Sequence, residues 1–324
     1  MLGKSQRSLL LLLSFFLCMP SLGWGQSFPI HSIRIIIPFA PGGGTDNLTR
    51  IMAPRLNELL GQSVVIDNRP GASGQIGTDM VAKSAPDGYT VAHVDTSFTS
   101  NPSLYGKLPY DSVKDFAPVS LLASAPVVLI VHPSVPAQNL KQLLKYARTN
   151  PGQLNFATGG AGSATHLGVE LMKSVAGINL VHIPYKGSGP AASAVLTGQV
   201  MMMMASPSAT RQHILASKLR ALAITGNRRN PALPAVMTFS EEGLPGIDAG
   251  TYWVEIAPAT TARDILNVLN SALVRVLHMA DIRKRLIDLG FDPLGTTPEE
   301  CAANIQAELA KWSRVVTSAK IKIE

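Results

Sequence analysis

Two glycine-rich loops carry the residues best suited to chemistry. Ala40-Pro41-Gly42-Gly43-Gly44-Thr45-Asp46 follows the apolar run Ser32 to Phe39 and precedes leucines at helical spacing. Gly159-Gly160-Ala161-Gly162-Ser163 stands in the same relation to residues 155–158 and 164–175. Such a loop exposes backbone N–H groups, and the following helix adds partial positive charge, so an anion can bind there. The alternative is a pair of tight strand-to-helix turns with no ligand role. Asp46 suits a helix cap or loop brace better than a catalytic acid. His166, on the first turn of the second helix, either donates to an anion or packs. Signatures of covalent or phosphate chemistry are absent: there is no Walker A, G-x-G-x-x-G, G-x-S-x-G or H-E-x-x-H run. A Ser-His-Asp triad is not singled out. The seven histidines lack metal-ligand spacing, so no metal and no cofactor is expected.

These loops need strands and helices to hold them. Strand-like and helix-like segments alternate through residues 32–94 and again through 155–225, which predicts α/β domains. Residues 119–132, broken by Pro126, and residues 251–256 read as crossovers between two domains. Tyr252 and Trp253 on the second crossover serve either core or cleft. Met201 to Met204 reads as a buried strand, since methionine is mainly a core filler. Thr261 with Asp264, and Thr297 with Glu300, read as capping boxes. Pro54 falls inside the first helix, where a kink is expected.

Charge separates the chain into similar ends and a different middle. The 324 residues carry +7, but Lys4 and Arg7 belong to a leader. There, an 11-residue apolar run and small residues follow the basic pair, the order of a secretory signal peptide cut after Gly25. No later apolar segment reaches 18 residues, so an exported, soluble mature chain is expected. Residues 26–115 hold 7 basic and 8 acidic residues, and residues 241–324 hold 9 and 12. Residues 116–240 hold 10 basic residues and a single acid, Glu170. The basic residues are scattered, without a stripe or a nucleic-acid-binding motif, so nucleic acid is not an expected partner. A diffuse field that attracts small anions remains. Loss of Cys18 with the leader leaves Cys301 alone, so no intramolecular disulfide is expected and a buried thiol is.

Several further runs accompany the first loop. They are Asn68-Arg69-Pro70-Gly71-Ala72-Ser73-Gly74, Ala85-Pro86-Asp87-Gly88-Tyr89-Thr90, Asn101-Pro102-Ser103-Leu104-Tyr105 and Lys114-Asp115-Phe116-Ala117-Pro118-Val119. His182-Ile183-Pro184-Tyr185-Lys186-Gly187 and Lys218-Leu219-Arg220-Ala221-Leu222-Ala223 complete the series. In order and spacing, over the whole mature chain, it resembles the substrate-binding proteins of tripartite tricarboxylate transporters, or Bug receptors. The resemblance implies an α/β fold of periplasmic binding protein type II. Two domains, joined by two crossovers, would close on a ligand in the cleft between them. With residues 1–25 as signal peptide, domain 1 would comprise 26–122 and 250–324, and domain 2 residues 123–249. The function implied is that of a periplasmic, monomeric, non-enzymatic receptor. It would capture a small carboxylate for the membrane components of a tripartite tricarboxylate-type transporter. A secreted α/β hydrolase and a sensor for a membrane signalling kinase are the alternatives.

Carried over by position, the implied ligand contacts in domain 1 are Phe39, Ala40, Gly43, Gly44, Thr45, Asp46, Thr96 and Ser97. Those in domain 2 are Thr158, Gly160, Gly162, Ser163 and His166, with Tyr185 and Lys186 on the same rim. One departure stands out. Where the family usually has acids, this chain has Met201 and Ala205, which predicts a less negative wall and a ligand without a free amine.

Overall fold

The computed structural model describes residues 28–321. The expected signal peptide lies outside the described residues. Two sheets organise the chain. The first is built from β1 (Ile33–Ile37), β2 (Val64–Asn68), β3 (Thr90–Val94), β4 (Phe116–Pro126), β10 (Gly250–Pro258) and β11 (Asp292–Pro293). Its order is β11-β4-β10-β3-β1-β2. The second contains β5 (Val128–Val131), β6 (Asn155–Thr158), β7 (Val181–Pro184), β8 (Met202–Ala205) and β9 (Arg220–Ile224), in the order β7-β6-β8-β5-β9.

β1 is nearly pure isoleucine because helices cover both faces of its sheet; Ile33, Ile35, Ile36 and Ile37 are all buried. It lies parallel to β2 and β3, while β10 runs antiparallel to β3 and β4. In the second sheet β6 is parallel to β7 and β8, and β5 antiparallel to β8 and β9. The four-methionine run supplies β8, with Met202, Met203 and Met204 fully buried.

Ten α-helices are seen among the described residues. They are α1 (Gly44–Leu60), α2 (Gln75–Ala82), α3 (Ser97–Leu104), α4 (Leu140–Thr149), α5 (Ala164–Ala176), α6 (Ser188–Leu196), α7 (Pro207–Leu215), α8 (Arg263–His278), α9 (Ala280–Asp288) and α10 (Pro298–Ser318). α1 runs as one helix through Pro54. α10 begins with the expected capping box: Thr297 Oγ1 accepts from Glu300 N–H, and the Glu300 carboxylate accepts from Thr297 N–H. α8 does not. Its N-cap is Ala262, and the Thr261 hydroxyl instead donates to Pro258 O. The turn leaving β10 takes the hydroxyl before it can cap.

The chain passes between the sheets twice, side by side. β4 ends at Pro126 and β5 begins at Val128, while β10 starts at Gly250, paired with Pro126. Thr96 Oγ1 donates to Gly250 O and accepts from Tyr252 N–H, and Val127 N–H donates to Thr225 Oγ1. α10 adds a third link. Cys301 and Ile305 pack under the first sheet, whereas Trp312 and Val316 enter the core of the second. The Cys301 thiol is buried, and burial, with Glu255 nearby, pushes its pKa up to about 12. It is an inert core group.

Candidate functional site

Both glycine loops end at the start of a helix, and the two helices face each other. The first turn of α1 has no acceptor inside the helix for its N–H groups, and its N-cap Gly43 has no side chain to supply one. In α5, Ser163 caps the N–H of His166, leaving those of Ala164 and Thr165 open. Two shorter helices join them. α6 starts after Gly187, again without a side-chain cap, and α7 starts at Ser206-Pro207 with the hydroxyl of Ser206 paired to Ser208.

These four N-termini line one narrow cavity, whose free interior is about 20 Å³. Phe39, Ala40, Gly43, Gly44, Thr45, Asp46, Asp95, Thr251 and Trp253 come from the first sheet and its helices. Gly159, Ser163, Ala164, Thr165, Ser188 and Ser206 come from the second. Six lining residues carry hydroxyls and none carries a basic side chain. Each helix N-terminus contributes roughly half a positive charge. The wall is therefore rich in hydrogen-bond donors, with four helix N-termini set beside the two carboxyls Asp46 and Asp95, and those donors suit a compact anion.

The cavity is shut. Ala40 N–H donates to Lys186 O at 2.9 Å, Ser100 Oγ to Gly162 O at 2.6 Å, and Asn47 Nδ2 to Ser208 O at 3.3 Å. A Cβ on Gly189 would lie 2.2 Å from Pro41 O, and one on Gly44 2.5 Å from Trp253 Cζ2. Glycine is required there because backbone and ring approach so closely. Trp253, left open between core and cleft, does both: it is 1% exposed, touches the cavity, and donates from Nε1 to Thr45 Oγ1 at 3.0 Å.

Asp46 braces the first loop. Its Oδ2 accepts from Gly42 N–H (3.0 Å) and Arg50 Nε (2.9 Å), and its Oδ1 from Asn68 Nδ2 (3.2 Å). Burial pushes its pKa up, but these donors outweigh burial and hold it below the usual carboxylate range.

The expected contacts divide into three groups. Phe39, Ala40, Gly43, Gly44, Thr45, Asp46 and Ser163 line the cavity. Gly160, Tyr185 and Lys186 line an adjoining hollow, which they share with Phe39 and residues 71–74. Thr96, Ser97, Thr158, Gly162 and His166 stand behind these walls. Thr96 ties α3 to β10, and Ser97 donates twice to Asp95. Thr158 Oγ1 pairs with His182 Nε2 at 2.6 Å. His166 Nδ1 accepts from Gly162 N–H at 3.1 Å, so the histidine supports the loop's backbone. Burial, with His182 and Lys173 adding, pushes the pKa of His166 down to about 3, which keeps it a neutral acceptor.

Sequence reasoning missed Asp95, Ala164, Thr165, Ser188, Ser206 and Thr251, and placed Gly159 on the second loop without naming it a contact. Ser206-Pro207 carries a legible signal, a capping residue followed by proline at the first helical position. Asp95 has only the weak one of an Asp two residues before a Ser. Met201 and Ala205 do not line the cavity; the residue after β8, Ser206, does so as the N-cap of α7. The wall's second carboxyl is Asp95, the residue after β3.

A hydrogen-bonded row of hydroxyl, imidazole and carboxylate does exist. Thr49 Oγ1 and His93 Nδ1 are 2.7 Å apart, and His93 Nε2 and Glu255 Oε2 2.8 Å. The order is that of a nucleophile, base and orienting acid. Yet Thr49 and His93 are fully buried and Glu255 is 2% exposed. Thr49 Oγ1 also bonds Thr45 O at 2.8 Å. No substrate can reach the row, which ties α1, β3 and β10 together. Among the described residues no cluster of three or more potential metal ligands is found.

Comparison with known proteins agrees with this geometry. A family model described as the tripartite tricarboxylate transporter family receptor matches residues 48–321. A UPF0065 protein from the tcbD-tcbE intergenic region of a Pseudomonas species is 38% identical over 297 residues, 91% of this chain and 88% of that one. Protein BugT of Bordetella pertussis is 37% identical over 301 residues, 92% of each chain. Solved structures superpose closely. Periplasmic binding protein BugD gives a TM-score of 0.89 at 32% identity, covering 92% of this chain and 100% of that one. Rpa4515 of R. palustris with adipate gives 0.88 at 34%, covering 91% and 99%. MatC of Rhodopseudomonas palustris with bound malate gives 0.85 at 33%, covering 89% and 100%. With its two mixed sheets, its closed cleft and a family match over most of its length, the chain belongs to the tripartite tricarboxylate transporter receptor family and has the two-domain type II binding-protein fold.

Proposed function

We propose that this protein is a periplasmic receptor that captures a small carboxylate between its two closing domains. It then hands the ligand to the membrane components of a tripartite tricarboxylate-type transporter. The observation that carries the reading is the convergence of four helix N-termini and six hydroxyl-bearing residues on one cavity without a basic side chain. Fixed backbone donors hold a carboxylate without the reorganisation a flexible lysine requires. Adipate and malate, found with similar structures, are small carboxylic acids.

In this reading residues 1–25 are a signal peptide removed on export. Residues 26–122 with 250–324 form one domain and 123–249 the other. The two crossovers at Pro126 and Gly250 are the hinge, and the mature receptor acts as a monomer. The adjoining hollow at Tyr185 and Lys186 is the mouth through which a longer ligand extends.

Native mass spectrometry of gently purified protein is the direct test, followed by a thermal-shift panel of acids and their amides. A retained acid, or stabilisation by acids and not by amides, is the expected result. Stabilisation by uncharged amides as strong as by the acids overturns the reading.

A further inference from the structure

The two carboxyls in the cavity wall are not equivalent. Asp46 has both oxygens engaged. Asp95 is less fully engaged: its Oδ1 accepts from Ser97 N–H at 2.9 Å and from Ser97 Oγ at 2.6 Å, its own backbone N–H also supports the carboxyl, and no hydrogen bond from another residue to Oδ2 is seen among the described residues. The charged and titratable groups on the neighbouring elements are Asp46 and Arg50 on α1, Asp79 on α2, His93 on β3, Tyr110, Glu255 on β10, and Glu308 and Lys311 on α10, which packs against α3; Lys311 is paired with Asp248. Arg50 is committed to Asp46, and His93 to Glu255 and Thr49. Across the cleft, α5, α6 and α7 present only hydroxyls and backbone N–H groups.

A ligand carboxylate finds its donors at the helix N-termini. A second carboxylate brought against Asp95 finds no cation to separate two like charges. Two carboxylates in contact in a water-poor site do not both stay ionised; they hold one proton between them. Oδ1 is saturated by two donors, so the proton resides between Oδ2, the oxygen with no bond from another residue, and the ligand.

We propose that Asp95 is a specificity-determining residue that pairs through Oδ2 with a carboxyl group of the ligand, the two sharing one proton, so that the receptor selects amine-free dicarboxylates over amino acids. The inference rests on the receptor reading above and deepens it. Burial pushes the Asp95 pKa upward, in the direction the pairing requires. The preference for an amine-free acid agrees with the expectation from Met201 and Ala205, but its cause is different. The wall keeps a carboxyl, and that carboxyl acts as a proton-bearing donor.

The balance is simple. Where free Asp95 and ligand are both ionised, one proton is taken from the buffer for each ligand bound. Wild-type affinity for a dicarboxylate then falls as pH rises, approaching about tenfold per pH unit.

The test is titration calorimetry with adipate, malate, aspartate and glutamate, in buffers of low and high ionisation heat, from mildly acidic to mildly alkaline pH. The proteins are wild type, Asp95→Asn and Asp95→Ala. Expected results are proton uptake and pH-dependent binding of a dicarboxylate in wild type. Asp95→Asn, whose amide donates without titrating, should bind with no proton uptake and a flat pH profile. Asp95→Ala should bind about tenfold or more weakly. Proton uptake undiminished in Asp95→Asn overturns the inference. So does tighter binding of aspartate or glutamate than of adipate and malate in wild type. Failure of wild type to bind any acid overturns the receptor reading itself, and a melting curve on each variant separates lost binding from lost folding.

Discussion

Asp46 couples the first glycine loop to pH. Its folded-state pKa is held below the usual value by Arg50, the Gly42 N–H and Asn68, against the opposing effect of burial. A depressed carboxylate contributes stability that is complete above its unfolded pKa and is lost as pH falls through the folded one. The loss therefore begins near the ordinary carboxylate value of about 4. In Asp46→Asn, unfolding free energy should fall at neutral pH and depend less on pH below that value; denaturant melts across the acid range test this. Leaving the Gly42 N–H and the Arg50 guanidinium without an ionised acceptor should cost about 1–3 kcal/mol. His166 acts on the other loop through a single accepted hydrogen bond, which only the neutral ring can supply. The ring accordingly lies behind the second loop and out of the cavity.

At the level of elements, closure depends on backbone meeting backbone. α6 begins beside the loop Ala40-Pro41-Gly42, and Gly189 leaves no space for a methyl group against Pro41 O. Both partners are main chain, so neither can swing aside. Gly189→Ala should therefore leave the melting temperature of the ligand-free protein nearly unchanged while abolishing ligand-induced stabilisation. Small-angle scattering should show a larger radius with ligand than the wild type has. Gly44→Ala tests a different link, because its methyl group meets the Trp253 ring between α1 and β10, on the same side of the cleft. Displacing that ring also breaks its bond to Thr45 Oγ1, so folding should suffer by about 1–3 kcal/mol. Chemical denaturation of the two alanine variants distinguishes them: the first loses closure, the second stability.

Across the whole molecule, the uneven charge and the cavity act at different stages of capture. The middle segment, with ten basic residues and one acid, makes a diffuse field, but none of its cations lines the cavity. Salt screens exposed charges over about 10 Å at 0.1 M and affects a shut, buried site far less. Added salt should therefore lower the association rate of a carboxylate and leave its dissociation rate nearly constant, as stopped-flow fluorescence of Trp253 would report. α10 is the other long-range feature, since it starts under the first sheet and ends in the core of the second. Trp312, fully buried with Nε1 bonded to Glu308, anchors that end. Trp312→Ala should cost about 3–5 kcal/mol in a denaturant melt.

Legible in the sequence were the alternation of strands and helices, the two glycine loops, the Thr297 cap and the methionine strand. Each rests on a local pattern, whether an apolar period, a glycine run or a capping residue. The sequence also determined the family, through short runs that are weak singly and specific in order. It did not determine which residues stand in the wall. Thr158 and His166 lie on the expected loop and helix but turn behind it, because each finds a partner there, His182 for one and Gly162 for the other. Asp95, Ser188, Ser206 and Trp253 reach the cavity from four elements distant in sequence. That decision belongs to the tertiary structure. Crossings at Pro126 and Gly250 bring four helix N-termini to one point, and the potential they make there is a property of their convergence, not of any one segment.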